Sequence, residues 1–292
     1  MPSSPIPIRL NQGPASSNVK RLEHQCETGH GGEVIETENM KILILGGTRE
    51  ARLLAEDPHF PQQARFIFSL AGVTQAPDLP QGQTRLGGFG GVEGLIAYLE
   101  RENIAAVIDA THPFAARISH HAATACAATC RPILRLGRPA WQRQPGDHWV
   151  DVASMDDAVP ALGVEPRRVL LTTGRQHVAP FIKAPQHYYF LRSIEPVSQD
   201  LPRFFETIIA RPPFKLEDEL ALLTRLKIDV LVTKNSGAPA IAAKLDAARR
   251  LGLRVIMINR PLLPPIGEVS TVEGAIKWVA RLASVHLESR QM

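Results

Sequence analysis

Two titratable side chains stand after strand-like apolar runs, at positions where they could do chemistry. His112 lies in the turn after the run 105–108, and Lys234 follows the run 228–233. In open parallel sheets ligands bind at the carboxyl ends of the strands, so both side chains are expected at such an edge. An imidazole or an ammonium group there can orient a substrate or transfer a proton. We predict both as catalytic candidates, with a structural role for the histidine and a bound water as proton donor as open alternatives.

A glycine turn between a strand and a helix could hold a phosphate group. The apolar run 41–45 leads through Gly46-Gly47-Thr48 into a helical pattern at 49–56. Such a turn lets the backbone approach an anion, and the free N–H groups and positive dipole of the new helix face it. The predicted pyrophosphate contacts are Gly46, Gly47, Thr48, Arg49 and Glu50. The G-x-G-x-x-G signature is not met, and a tight turn with nothing bound is the competing interpretation.

Three further strand ends and loops of the first half extend this candidate nucleotide site. The strand 65–70 ends where a doubly wound fold meets the adenosine ribose. Four glycines in the stretch 87–91 permit close approach of a ligand, although a flexible turn is the alternative. The strand 105–109 ends in polar side chains, with Pro113 placed to open the next helix. The added contacts are Ser69, Ala71, Gly72, Gly87, Gly88, Phe89, Gly90, Asp109, Ala110, Thr111, His112, Pro113 and Phe114.

Strand and helix patterns alternate from Met40 to the end of the chain, which predicts an α/β fold of two Rossmann-like doubly wound parallel-sheet domains with a cleft between them. The predicted domains are a disordered extension at 1–39, a nucleotide-binding domain at 40–142 and a substrate domain at 147–288. Met40 directly precedes the first strand and is a candidate natural start. Strands are predicted at 41–45, 65–70, 105–109, 132–136, 147–152, 168–172, 188–192, 206–210, 228–233 and 254–258. Helices are predicted at 49–56, 92–101, 115–129, 154–162, 216–226, 239–251 and 271–284.

Composition restricts the function classes. Of 292 residues, 5% are aromatic and the net charge is +4, which favours anionic small molecules over nucleic acid as ligands. No export signal and no apolar span of membrane length is found, so we expect a cytoplasmic protein with no membrane partner. Metal-ligand spacing, G-x-S-x-G and the P-loop motif are also lacking, so we expect no metal.

Several motifs recur in a specific order along the chain. The first half holds Leu-Gly-Gly-Thr-Arg-Glu-Ala at 45–51, Ser-Leu-Ala-Gly at 69–72, Gly-Gly-Phe-Gly-Gly at 87–91, Asp-Ala-Thr-His-Pro-Phe-Ala at 109–115 and Arg-Pro-Ala-Trp at 138–141. The second half holds Thr-Thr-Gly-Arg at 172–175, Lys-Asn-Ser-Gly at 234–237 and Val-Ile-Met-Ile-Asn-Arg-Pro at 255–261. Together they resemble the precorrin-6A reductase family, over residues 40 to about 285.

The resemblance implies an NAD(P)H-dependent oxidoreductase that reduces precorrin-6A to precorrin-6B by hydride transfer from NADPH in cobalamin biosynthesis. It places 69–72 near the adenosine ribose, and 87–91 and 109–114 nearer the nicotinamide. Many relatives are expected to carry arginine where this chain has Val73, so NADH is not excluded unless Arg49 or Arg85 binds the ribose phosphate.

The substrate implied by the resemblance is a tetrapyrrole edged with carboxylates. Hand-over from neighbouring pathway enzymes is a further expectation. Guanidinium groups hold carboxylates in a two-pronged grip, and cations at strand ends or glycine turns are therefore candidate contacts. The predicted substrate-binding residues are Arg138, Thr173, Gly174, Arg175, Arg192, Lys234, Asn235, Ser236 and Gly237. For each cation a solvated surface position is the alternative.

Two other functions fit parts of the pattern. A non-catalytic nucleotide or sugar-phosphate binding protein of two Rossmann-like halves would also carry glycine turns and a basic excess. It would not explain polar, arginine-bearing turns aimed at one cleft from both halves. A short-chain dehydrogenase is disfavoured because none of the three tyrosines has a lysine four residues on.

Overall fold

The computed structural model describes residues 40–72, 79–197 and 201–291, so the predicted extension 1–39 lies outside them. The strands are Met40–Leu45 (β1), Ala64–Leu70 (β2), Gln83–Leu86 (β3), Ile104–Asp109 (β4), Ile133–Leu136 (β5), His148–Val152 (β6), Arg168–Leu171 (β7), Tyr188–Ser193 (β8), Phe205–Ile209 (β9), Val230–Lys234 (β10), Arg254–Ile258 (β11) and Gly267–Val269 (β12). The helices are Arg49–Glu56 (α1), Gly91–Arg101 (α2), Ala116–Ala128 (α3), Met155–Ala161 (α4), Leu216–Arg225 (α5), Ala243–Arg250 (α6) and Val272–Gln291 (α7).

The strands form two parallel sheets of six, which confirms the predicted fold class. The first sheet has the order β12-β5-β4-β1-β2-β3 and the second the order β6-β11-β10-β7-β8-β9. In each sheet the strand order reverses once, between β1 and β4 and between β7 and β10. At such a switch point the loops diverge to opposite faces and leave a crevice at the carboxyl ends of the strands.

In each sheet the sixth strand is not the one that follows the fifth strand in sequence. β6 follows β5 in sequence, yet it pairs with β11 in the second sheet. β12 follows β11, yet it pairs with β5 in the first sheet. The predicted second domain, 147–288, is therefore wrong at its C-terminal end, because β12 extends the first sheet beyond β5. The chain crosses between the two sheets twice, after β5 and after β11.

Apolar layers on both faces of each sheet hold these elements. The apolar side chains of β1, β2 and β4 pack under α1 and α7, with Ala275, Val279 and Ala283 of α7 buried among them. The opposite face of the first sheet is covered by α2 and α3. Sheets covered on both faces need continuous apolar strands, which is the pattern that predicted β1 and β4. No helix within the described ranges is long and apolar enough to cross a bilayer.

Candidate active site

The β1–α1 turn has the geometry of an anion cradle. Thr48 caps α1 by accepting a hydrogen bond from the Ala51 N–H at 3.1 Å, and its hydroxyl donates to the carbonyl of Ala110 at 2.8 Å. This second bond ties the turn to the end of β4. Gly47 adopts a φ of +120°, and an added Cβ would meet no atom within 4 Å. The turn therefore leaves open space beside the free N–H groups at the start of α1.

Arg85 organises the glycine loop that follows β3. Its guanidinium donates to the carbonyls of Gly87 and Gly88, both at 2.6 Å, and stacks 3.8 Å from the ring centre of Phe89. It also lies 3.4 Å from the hydroxyl of Ser69 at the end of β2. The loop is thus held beside the end of β2, as the predicted nucleotide site requires.

The two cations considered for a ribose phosphate differ in their surroundings. Arg85 is committed to the glycine loop, and burial lowers its pKa. Arg49 is exposed at the first residue of α1, where no hydrogen bond or ion pair to another described residue engages it. Val73 and the five residues after it lie outside the described residues.

The end of β4 is shaped by its own side chains. The Asp109 carboxylate, 2% exposed, accepts from the backbone N–H of Thr111 at 3.2 Å and from its hydroxyl at 2.7 Å. The Nδ1 atom of His112 accepts from the N–H of Phe114 at 3.2 Å, which places the proton of the neutral ring on Nε2. Asp109 therefore fixes the turn, and the Nε2–H of His112 is left to donate.

The second sheet presents a polar edge at the ends of β7 and β10. The hydroxyl of Thr173 is buried and has no hydrogen-bond partner among the described residues, and Gly174 adopts a φ of +87° with open space beside it. Arg175 is paired with Glu195 at 3.0 Å. The Lys234 ammonium makes no hydrogen bond or ion pair within the described part of the chain and lies 5.4 Å from the ring centre of Phe114, on the first domain.

Lys234 lies close enough to His112 and His177 to lower the pKa of both imidazoles. Burial lowers the pKa of Lys234 to about 8. Burial and the charge of Lys234 lower the pKa of His177 to about 4. Burial lowers the pKa of His112 to about 3, and the positive charges of Arg138, Lys234 and Arg260 and the ring of His177 lower it further. Near neutral pH both imidazoles are therefore uncharged, and Lys234 is the group that carries a transferable proton.

His177 was not among the predicted site residues. It follows the Thr-Thr-Gly-Arg turn of β7, in a short 3₁₀ turn at Arg175–His177. His112 was predicted because it follows the end of a strand. His177 also follows the end of a strand, but it lies two residues beyond the turn 172–175 that was considered. Arg260 lies in the motif at 255–261 but had no predicted role.

The structure uses Arg192 differently from the prediction. Both terminal nitrogens of its guanidinium donate to the carboxylate of Glu219, at 2.6 and 2.9 Å, and the pair is buried. The group also lies 4.3 Å from the ring centre of Phe214. Its two-pronged edge is therefore occupied inside the second domain, and we do not retain Arg192 as a substrate contact.

Four other predicted substrate residues form a seam between the two halves, which we define as residues 138–141 and 235–237. Arg138 Nε donates to the carbonyl of Ser236 at 2.8 Å, and Arg138 Nη1 lies 2.7 Å from the Glu50 carboxylate. The Asn235 side chain accepts from the N–H of Trp141 at 2.8 Å and donates to its carbonyl at 3.1 Å. An added Cβ on Gly237 would come within 1.9 Å of the Pro139 carbonyl. These residues join the domains rather than line open space.

The edge of the first sheet fits a dinucleotide. Besides Gly47, the loop glycines 87, 88 and 90 have no atom within 4 Å of an added Cβ, so the backbone is accessible along the path from α1 to α2. Phosphates bind where free backbone N–H groups meet a helix start, and the α1 terminus provides both. No cluster of three or more possible metal ligands occurs among the described residues.

Comparisons with known proteins agree with this geometry. A sequence model of the family described as "Precorrin-6x reductase CbiJ/CobK" matches residues 41–280. The chain is similar to a precorrin-6A reductase of Rhodococcus erythropolis, with 45% identity covering 83% of this chain and 98% of the relative. A precorrin-6A reductase of Sinorhizobium sp is 46% identical over 85% of this chain and 97% of the relative. A solved structure of "CobK precorrin-6A reductase" is 44% identical, with a TM-score of 0.78 over 83% of this chain and 97% of the other.

Proposed function

This chain belongs to the precorrin-6x reductase family, and we propose that it reduces precorrin-6A to precorrin-6B with a hydride from NADPH in cobalamin biosynthesis. The observation that supports this most directly is the meeting of two edges in one cleft. A glycine-lined nucleotide edge on the first sheet faces the Lys234 ammonium on the second, which has no ion-pair partner among the described residues. Saturating one ring double bond requires one hydride and one proton, and the two edges offer a place for each donor.

The first sheet holds the nucleotide in this proposal. Gly47 and Thr48 bind the pyrophosphate through the N–H groups at the start of α1, beside Gly46, whose own N–H donates to the Ser69 carbonyl at 2.8 Å. Ser69 to Gly72 border the adenosine ribose. The loop 87–91 and the end of β4 contact the nicotinamide. When bound, the reduced nicotinamide supplies the hydride. The protein orients it and excludes water from the cleft.

We assign the choice of NADPH over NADH to Arg49. Its guanidinium is exposed beside the nucleotide loop and is not engaged by another described residue, whereas Arg85 is held by the carbonyls of Gly87 and Gly88. Arg49→Gln is expected to raise the KM for NADPH by about 10- to 100-fold, as loss of a charged hydrogen-bonded pair would, and to leave the KM for NADH unchanged. Arg85→Gln is the matched comparison, because loosening the loop weakens both nucleotides alike. If Arg49→Gln raises the KM for NADPH and the KM for NADH by the same factor, as Arg85→Gln should, the assignment is wrong.

The substrate lies against the second sheet. Lys234 donates the proton, and Thr173, Gly174 and Arg175 contact the ring and its carboxylates, since buried hydroxyl and cationic groups stabilise such anions. The neutral His112 donates a hydrogen bond through Nε2 and does not supply the proton. We place the reaction in the cytoplasm, where neighbouring pathway enzymes could hand over the tetrapyrrole.

The decisive experiment follows NADPH absorbance after addition of precorrin-6A. The expected result is loss of one NADPH per tetrapyrrole and a product heavier by two hydrogens. Quenching of NADPH fluorescence without its consumption would instead describe a nucleotide-binding module and overturn the proposal. Replacing NADPH with NADH in the same assay separates the cofactor choice from the reaction itself.

A further inference from the structure

We propose that Arg138 is a positioning residue that fixes the turn 235–237 of the second domain against helix α1 of the first, and so sets the distance across which the hydride is transferred. The inference rests on the proposed reduction, because that distance matters only when the two reactants lie on different domains. It replaces the substrate-binding role that the sequence suggested for this arginine.

The contacts of the Arg138 side chain support this role. One edge of the guanidinium meets the carboxylate of Glu50, in the first turn of α1, and Nε meets the carbonyl of Ser236. The Arg138 side chain is 12% exposed and that of Glu50 is 21% exposed, so solvent screens the ion pair less than at the surface. A planar guanidinium can serve two partners at fixed directions, whereas a lysine ammonium is a single point on a flexible stem.

The backbone around Arg138 is held in the same way. Arg260 donates to the carbonyl of Arg138 at 2.8 Å and to that of Asn235 at 2.9 Å, so it binds both segments of the seam. The close approach of Pro139 to Gly237 leaves no room for a side chain between them. Residues 138–141 are thus held against the turn 235–237 of the second domain, and the Glu50 ion pair is the point where they meet helix α1. Movement of this pair changes the separation of the two sheet edges.

Catalysis depends steeply on such a separation. Hydride transfer needs the donor and acceptor carbons in near contact, and a misplacement of about 1 Å can cost roughly 100-fold in rate. Binding of either reactant to its own domain is not affected by the same displacement. A loss in kcat without a loss in affinity is therefore the signature that separates positioning from substrate binding.

The test compares Arg138→Lys, Glu50→Gln and the double variant with a matched control, Arg143→Lys. Arg143 lies in the same linker and is also 2.7 Å from a carboxylate, that of Asp151, but its side chain is 52% exposed and does not join the domains. The measurements are kcat and KM with precorrin-6A, the Kd for NADPH by fluorescence, and the isotope effect with NADPH deuterated at the transferred position. Hydrogen exchange of the peptides 49–53 and 138–141 is a readout without turnover.

We expect Arg138→Lys to lower kcat by roughly 10- to 100-fold, with KM for precorrin-6A and Kd for NADPH within about threefold of the wild type and a larger isotope effect. Glu50→Gln should give a smaller loss in kcat, and the double variant should lose no more than Arg138→Lys, because the pair acts as a unit. Both peptides should exchange faster in the Arg138 variant and not in the control.

A rise in the KM for precorrin-6A with kcat intact would show that Arg138 binds substrate, and the inference would be wrong. Unchanged kinetics and exchange in Arg138→Lys would overturn it as well. If the wild type does not consume NADPH with precorrin-6A, the proposed function fails. In that case, hydrogen exchange of the two peptides that is as slow in Arg138→Lys as in the wild type would still contradict the positioning role of Arg138.

Discussion

Lys234 and His112 occupy the same cleft, yet their environments suit them to different tasks. Burial lowers the pKa of Lys234 to about 8 but leaves the group mostly protonated at pH 7. Burial and nearby positive charges lower the pKa of His112 to about 3, so its ring stays neutral above pH 5. A general acid works best when its pKa is close to the working pH. Lys234 therefore suits proton donation, and His112 suits hydrogen bonding.

The pH profile of kcat tests this division. Above about pH 8 the rate should fall about tenfold per pH unit as Lys234 loses its proton, and from pH 5 to 7 it should stay level because His112 does not titrate there. Lys234→Met is expected to lower kcat by roughly 100-fold or more and to abolish the alkaline fall. In His112→Asn the alkaline fall should keep its midpoint. An alkaline fall that persists in Lys234→Met would exclude the lysine as donor.

Lys244 is a buried lysine whose charge bears on stability. It is 2% exposed, donates to the Thr172 hydroxyl at 3.1 Å and lies 5.3 Å from the ring centre of Trp141. Burial, with a further contribution from Arg192, lowers its pKa from 10.5 to about 7, while Glu219 opposes the shift. Between these two values the unfolded chain binds more protons than the folded one. The free energy of unfolding contributed by this group therefore rises with pH from about 7 to 10 and is level below 7.

Lys244→Met should remove this pH dependence. The apolar side chain fills similar volume without a charge to desolvate, and Thr172 keeps its bond to the Val232 carbonyl at 3.2 Å. We expect a higher free energy of unfolding than wild type at pH 7 and a smaller difference at pH 10, measured by urea denaturation at both values. Lys183→Met, at an exposed lysine, is the control and should shift both values equally. Greater destabilisation at pH 7 than at pH 10 would contradict the sign.

How far single residues could be predicted depended on where their partners lie. The positions of His112 and Lys234 at the ends of β4 and β10 could be predicted because a strand end and the polar side chain that follows it are adjacent in sequence. The ion pairs of Arg138 and Arg192 could not be predicted because their partners, Glu50 and Glu219, lie 88 and 27 residues away. A cation at a strand end has the same sequence signature whether it meets a ligand or a buried carboxylate.

At the scale of elements, the glycines near α2 serve two different purposes. An added Cβ at Gly94, inside α2, would lie 1.8 Å from the Phe89 carbonyl, so this glycine lets the loop fold back on the helix. An added Cβ at Gly88 would meet nothing within 4 Å, and the Gly88 carbonyl accepts a hydrogen bond from Arg85. The first glycine is required by the fold, and the second leaves space that the proposed nucleotide would occupy.

Alanine at these two glycines should therefore give opposite results. Gly94→Ala is expected to lower the free energy of unfolding by about 1 to 3 kcal/mol, because the backbone of Phe89 must move. Gly88→Ala should change it by less than about 0.5 kcal/mol but weaken NADPH binding, because the methyl group enters the open space. Urea denaturation and a fluorescence titration measure the two quantities. Unaltered NADPH affinity in Gly88→Ala would place the nucleotide away from this loop.

Most elements could be predicted because their own residues specify them. Helix α1 spans Arg49–Glu56, as predicted, and β11 matches its predicted bounds. The strands β3 and β12 were missed because they are four and three residues long and carry few apolar side chains. Such edge strands form only when a neighbouring strand supplies hydrogen-bond partners, which the local pattern does not encode.

At the scale of the whole molecule, the pairing of β12 with β5 makes the first sheet depend on the C-terminal segment. The prediction of two separate domains followed from the alternation of strands and helices, and alternation does not say which sheet a strand joins. The second sheet is built from the consecutive strands β6 to β11, whereas the first sheet needs β12 from the C-terminal part of the chain beside β1 to β5. The linker 137–147 and the segment 259–266 are therefore structural crossings rather than flexible hinges.

Removing the last segment should damage the domain that lies farthest from it in sequence. A chain ending at Ile266 lacks β12 and α7, and with them the contacts of Ala275, Val279 and Ala283 with β1, β2 and β4. Because this uncovers one face of the first sheet, the truncated protein should lose NADPH binding and unfold at a lower denaturant concentration, as followed by circular dichroism. A chain that lacks only residues 287–292 is the control and should behave as wild type. If the chain ending at Ile266 binds NADPH with unchanged affinity, the nucleotide domain does not depend on β12 and α7, and the two halves are separate folding units.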